Sequence, residues 1–201
     1  SMSRHKMLIV DDMESNRLIL AEIFRSDYQI LEASDSKTAL QILKENYAET
    51  AAVLLDWHLS GEDGNKVLEI MKEKGWLDHI PVLVVTAEQS VETERICIGL
   101  GASDMIRKPF DREVVRKRVD NNISLYQHKN YMEEKVQEQN QLLRKQYTVL
   151  KLQAEKLKKS SCQMIDVVCN ILEHHYPEFD ENTQTVREIS RIIGKKVQVH
   201  Y

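Results

Sequence analysis

The apolar positions fall into two regimes along the chain. Up to about residue 110, short apolar runs alternate with amphipathic stretches; beyond it, apolar residues thin out among long polar segments. Met7-Leu-Ile-Val10, Ala51-Ala-Val-Leu-Leu55 and Pro81-Val-Leu-Val-Val85 are unbroken apolar runs too short for helices, which predicts strands covered on both faces. Tyr28-Gln-Ile-Leu31 alternates weakly and predicts another strand, and Met105-Ile-Arg107 a short last one. Between them the period lengthens to that of a helix. Leu18, Ile19, Leu20, Ile23 and Phe24 form one stripe. Ser36 to Leu43 forms a second, with Ser36 as its N-cap. Val67, Leu68, Ile70 and Met71 form a third, stopped by Gly75, and Ser90 to Leu100 a fourth, closed by Gly99 and Gly101. A fifth begins after Asp111, placed as its cap. Five strands alternating with five helices over short connections imply right-handed crossovers and a doubly wound, five-stranded parallel α/β sheet.

The residues that end these strands are polar. Asp11-Asp12 follows the first, Asp56 ends the central one, Thr86 follows the run at 81–85, and Lys108-Pro109 follows the last. Open α/β sheets bind ligands at the carboxyl ends of their strands, so three carboxylates, a hydroxyl and an ammonium meet at one edge. Clustered carboxylates repel one another, and Mg²⁺, which takes oxygen ligands in an octahedron, resolves that conflict. A carboxylate whose charge is offset can then accept a phosphoryl group. Singly, each residue has a plainer reading: an Asp after a strand is commonly a loop or cap residue, and Lys-Pro a turn. The joint pattern decides.

Asp11-Asp12, Asp56, Thr86 and Lys108-Pro109, in this order after strands, resemble the receiver domain of bacterial two-component response regulators, a flavodoxin-like fold, over residues 5–126. The resemblance implies phosphoryl transfer from a sensor histidine kinase onto Asp56 beside bound Mg²⁺. It places Asp12, Asp56 and the main-chain carbonyl of His58 on the metal, and Asp11 there through water. Lys108 would neutralise one phosphoryl oxygen, Thr86 would hydrogen-bond another, and a cis bond before Pro109 would aim the lysine inward. Two positions depart from the family. The aromatic switch residue three before the lysine is Met105, and the Met-Pro that follows the acceptor is replaced by Leu59-Ser60. His58 and Glu88 flank the acceptor; they either govern attack of water on the aspartyl phosphate or are plain solvent-exposed loop side chains.

Past Asp111 there is no proline before Pro177 and no glycine before Gly194. Val136, Leu143, Leu150 and Leu157 recur every seven residues, with Asn140, Tyr147 and Ala154 four residues after the first three. Read as heptad positions d and a, they predict a helix from Asp111 to about Lys159, roughly 70 Å long, and a parallel homodimeric coiled-coil linker over 127–160. A leucine every seven residues is also compatible with one face of any helix. Gln139, Gln146 and Gln153 at g face Arg144, Lys151 and Lys158 at e, a marginal charge pattern. Residues 161–201 carry two further stripes, Met164–Leu172 and Val186–Ile193. They resemble weakly the opening helices of HD-type cyclic-dinucleotide phosphodiesterases. Asn182 stands where that family has a histidine ligand, and no His-Asp pair precedes Tyr201. The tail is therefore expected to hold no catalytic metal, whether it is a helical hairpin or the start of a truncated output domain.

Charge and cysteines narrow the partners. The net charge of -4 argues against nucleic acid, and it is uneven: residues 1–128 carry 16 Lys/Arg against 22 Asp/Glu, and residues 129–159 carry 8 against 4. No apolar run reaches the roughly 20 residues that span a bilayer. Cys97, Cys162 and Cys169 lack metal-ligand spacing and read as reduced thiols of a cytoplasmic protein. No organic cofactor is expected. Three functions compete: a phosphorylated signalling switch; a constitutively dimeric scaffold that ignores phosphate; and an aspartate-nucleophile phosphatase, which would want an acid where His58 stands.

Overall fold

In the computed structural model, the described residues are 4–60, 62–88, 90–109 and 111–175, with the isolated positions 185, 187, 188 and 192. Residues up to Glu134 form one compact unit and those from Lys135 a second.

In the first unit, strands and helices alternate as the apolar pattern predicts: β1 (Lys6–Val10), α1 (Glu14–Phe24), β2 (Gln29–Ala33), α2 (Ser36–Asn46) and β3 (Thr50–Asp56). A small antiparallel hairpin follows, β4 (His58–Leu59) with β5 (Glu62–Asp63), which the pattern does not predict. Then come α3 (Asn65–Glu73), a 3-10 turn at Trp76–Asp78, β6 (Val82–Thr86), α4 (Val91–Leu100), β7 (Asp104–Arg107) and the start of α5 (Arg112–His175), whose residues from Lys135 belong to the second unit. The sheet has five parallel strands in the order β2-β1-β3-β6-β7.

Alternation along the strands feeds two apolar layers. Leu8, Val10, Val53, Leu55, Val82 and Val84 face α2, α3 and α4, against Leu43, Val67, Leu68, Met71 and Cys97. Met7, Ile9, Leu54, Leu83 and Val85 face α1 and α5, against Leu20, Phe24, Val115, Val119 and Ile123. Burying each such side chain contributes about 1.5–3 kcal/mol, and every residue of β3 is buried. The central strand is thereby fixed at the register that puts Asp56 at its carboxyl end.

Three local expectations are corrected. Leu18 and Ile19 are half exposed: at 100° per residue Leu18 points away from the face set by Leu20, Ile23 and Phe24. The cap of α2 is Asp35, whose carboxylate accepts the Thr38 N–H at 2.8 Å, and Ser36 is the first helical residue, buried. Gly101 alone closes α4, at φ +103°, while Gly99 lies inside the helix. The two glycines therefore separate in a test. Gly101→Ala forces a side chain into left-handed backbone, costing about 1–2 kcal/mol, and sets its Cβ 2.7 Å from Leu77 Cδ1. Gly99→Ala meets open space and gains about 0.5–1 kcal/mol of helix preference. Denaturant unfolding followed by circular dichroism should show the first variant less stable than the parent and the second more stable.

The helix predicted to end near Lys159 continues to His175, since Ser160-Ser161-Cys162 contains neither glycine nor proline to break it. In the second unit Val136, Leu143, Leu150 and Leu157 are all at least half exposed. Nearly half of the HD-like stretch at 163–194, including Asn182, lies outside the described residues, and that likeness is not confirmed. Among the described residues, no helix is long and apolar enough to cross a membrane.

Candidate functional site: an acidic pocket at the carboxyl edge of the sheet

β1 and β3 are neighbours although β2 separates them in sequence, so the chain leaves β1 toward one side of the sheet and β3 toward the other. A crevice opens at such a reversal. Asp11 and Asp12 enter it from the end of β1, Asp56 from β3, Thr86 from β6, and Lys108 from the residue after β7. A carboxylate oxygen from each of Asp11, Asp12 and Asp56 can be chosen so that all three lie within 4.8 Å of one another, the one such acidic group among the described residues.

Lys108 ties the pocket together. Its Nζ donates to Asp56 Oδ2 at 2.9 Å and to Asp11 Oδ2 at 3.0 Å, and its main-chain N–H donates to the Thr86 carbonyl at 2.8 Å. The Lys108–Pro109 bond is cis, as the resemblance implies. Thr86 is fully buried, and its Oγ1 accepts the Glu88 N–H at 3.0 Å. Asp56 is 6% exposed. Burial, with the neighbouring Asp11 charge adding to it, holds its carboxyl above the ordinary range, opposed by the hydrogen bond from Lys108. Burial alone would lower the Lys108 ammonium, but its bonds to Asp56 and Asp11 prevail and keep it above its usual value. One ammonium set against three carboxylates leaves the pocket negative. An all-oxygen donor set of this kind fits a hard divalent cation.

Residues beyond the five strand-end positions complete the frame. Asn16 Nδ2 lies 3.1 Å from both Asp11 oxygens, and the Met13 N–H reaches Asp11 Oδ1 at 2.9 Å. Ser60 donates to Asp12 Oδ2 across the crevice. Asn16 sits in the first turn of α1 and Ser60 in the β4–β5 turn, positions that carry no periodic signal. At Gly64 a Cβ would stand 2.8 Å from the Asp56 carbonyl oxygen, so only glycine lets α3 start this close to the acceptor. His58 and Glu88 are both exposed, yet they pair, Nε2 to Oε1 at 2.9 Å. Glu88 also accepts from Thr93 on α4, and these two bonds hold its carboxyl below the ordinary range. The His58 main-chain N–H faces Asp56 Oδ1 at 3.4 Å.

The model of the response regulator receiver domain matches residues 7–120. The chain belongs to that family. Among its relatives, chemotaxis protein CheY-3 of Vibrio cholerae is 32% identical over 117 residues, 57% of this chain and 88% of CheY-3. A Rickettsia bellii protein named as an NtrX-like response regulator is 33% identical over 160 residues, 77% of this chain but 33% of that protein. The chain thus spans about a third or less of the length of several curated relatives that it matches. Among solved structures, CheY of Borrelia burgdorferi, crystallised with CheX, BeF3 and Mg²⁺, is 30% identical with a TM-score of 0.53, over 57% of this chain and 86% of that one. The receiver fold is the one expected from the strand-end residues.

Proposed function

We propose that this chain is a two-component response regulator that accepts a phosphoryl group on Asp56 from a sensor histidine kinase in the cytoplasm. The observation that carries the reading is the position of Asp56: buried, held at 2.9 Å by Lys108, and within reach of two further carboxylates at the crevice of the sheet. Asp12, Asp56 and the His58 main-chain carbonyl would hold Mg²⁺, with Asp11 reaching it through water. Bound there, Mg²⁺ supplies positive charge to the attacking and transferred oxygens.

The chain's own groups do the rest. An Asp56 oxygen bonds to phosphorus as the P–N bond to the kinase imidazole breaks, and the electron pair of that bond returns to the imidazole nitrogen. Lys108 shifts its ammonium from the Asp56 carboxylate to a phosphoryl oxygen, and the Thr86 hydroxyl donates to another. His58 and Glu88, paired above the acceptor, govern the approach of water and so the lifetime of the aspartyl phosphate. Beyond this self-dephosphorylation the chain is not an enzyme. The receiver occupies residues 5–126, the linker 127–160 and the tail 161–201. Dimerisation through the linker helix relays the state of Asp56 to an output module, a role supported by the greater length of several relatives.

Acetyl phosphate with Mg²⁺ tests this reading on the full chain. A phosphoryl adduct mapped to Asp56 by mass spectrometry, absent when a chelator is added, is the expected result. No adduct would favour the scaffold, and turnover of assorted phosphate monoesters the phosphatase.

A further inference from the structure

A groove of about 560 Å³ runs between α2 and α3, away from the acidic pocket. Its basic rim follows from helical spacing. Lys37 and Lys44 are seven residues apart on α2, and Lys66 on α3 and Lys74 at its C-cap lie four residues either side of Ile70, so each pair shares a face. The floor is Leu40, Ile70 and Trp76, all partly buried. The Trp76 ring is stacked on Tyr47 with centroids 5.5 Å apart and planes 12° apart, which fixes it as a platform.

The sign of its charge sets this groove apart from the body around it. No acidic residue lines it, although residues 1–128 carry 22 Asp/Glu against 16 Lys/Arg. Lys37, Lys44 and Lys74 make no ion pair among the described residues, so carboxylates of the chain do not already neutralise the rim at those three positions. Lysines around an apolar floor, on an otherwise acidic body, complement a ligand of the opposite charge with an apolar centre.

We propose that the α2–α3 groove docks an acidic segment of a partner protein, one large apolar side chain seated on Leu40, Ile70 and Trp76 with carboxylates meeting the lysine rim. A segment lying along two helices is the groove-binding mode in which apolar anchors give affinity and charge gives register. Nucleic acid fits less well, because the acidic body repels a phosphate backbone beyond the few contacts the rim offers. The groove requires neither Asp56 nor a phosphoryl group, so this assignment stands or falls separately from the proposed phosphorylation.

The test uses the full chain and fluorescein-labelled twelve-residue peptides carrying four glutamates around a central Trp, Phe or Leu, read by fluorescence anisotropy at low salt. At least one peptide should bind, its all-glutamine counterpart at least tenfold more weakly. Lys44→Glu/Lys74→Glu should lose tenfold or more in affinity, and Ile70→Ser should lose a similar factor with the salt dependence kept. Both variants should retain the parent circular dichroism spectrum, and acetylation footprinting should show Lys37, Lys44 and Lys74 protected. The proposal is overturned if no peptide of the panel binds, if glutamine and glutamate peptides bind alike, or if the charge reversal leaves affinity unchanged. It is equally overturned if the three lysines are protected by oligo-dT or phosphatidylserine vesicles and not by peptide, or by a second copy of the chain as light scattering would reveal.

Discussion

Asp56→Asn is expected to take no phosphoryl label and to unfold at a higher temperature than the parent. The first effect follows from the nucleophile. The amide keeps the volume of the side chain but has no anionic oxygen to bond to phosphorus, and neither Asp11 nor Asp12 ends the central strand, where Lys108 points its ammonium at 2.9 Å. The second follows from linkage. Burial and the Asp11 charge hold the folded-state carboxyl of Asp56 above its unfolded value. A raised acid binds more protons folded than unfolded, so its contribution to stability falls as pH rises from the ordinary carboxylate range through the raised value. At neutral pH the parent therefore bears a penalty that the amide lacks. The gain should shrink as pH is lowered toward the ordinary carboxylate range, where the folded parent's Asp56 is itself protonated. Intact-mass analysis after acetyl phosphate treatment and thermal melts at neutral and mildly acidic pH measure both. Retained labelling would remove Asp56 as acceptor, and a lower melting temperature at neutral pH would mean that the ion pair with Lys108 outweighs the burial penalty.

Added Mg²⁺ should act in the same direction on the parent and more weakly on the variant. A cation that binds only the folded pocket stabilises by mass action, and the Asp56→Asn variant offers it one carboxylate fewer.

What the sequence makes legible here is whatever repeats or terminates. β3 reads clearly because five apolar residues precede Asp56, and a strand buried on both faces needs no polar alternation. Asp11, Thr86 and Lys108 are legible for the same reason, each standing where an apolar run stops. Less regular features escape. The β4–β5 hairpin has strands of two residues each, too short for a period. Asn16 and Ser60 matter through single side-chain bonds to Asp11 and Asp12, and nothing in their neighbours announces those bonds. Asp35 and Ser36 are both good caps side by side, and only the backbone decides between them. Leu18 and Ile19 belong to an apolar run longer than the face it serves, so composition overstates the buried stripe. The lysine groove joins residues from two helices separated by β3 and the hairpin, a juxtaposition that only the crossover supplies.

Leu143→Ser/Leu150→Ser is expected to convert the chain from dimer to monomer. In the single chain Leu143, Leu150 and Leu157 are 62%, 64% and 68% exposed, on a helix that exposes Leu142, Val149 and Leu152 off this seam as well. Scattered exposed leucines are ordinary, but leucines every seven residues along one seam leave a continuous apolar stripe. A second copy in parallel would cover it in register, with Asn140 and Tyr147 meeting their own counterparts at a positions. The double substitution removes four leucines per dimer. At about 1.5 kcal/mol each, the low end for a fully buried leucine, the loss is about 6 kcal/mol, or about four powers of ten in dissociation constant. With Arg144, Lys151 and Lys158 facing glutamines rather than acids across the seam, little electrostatic attraction remains to hold the pair. Multi-angle light scattering at micromolar protein should give a dimer mass for the parent and a monomer mass for the variant, with helicity reduced along the linker. A dimer mass in both would move the contact off this seam and onto another surface of the chain.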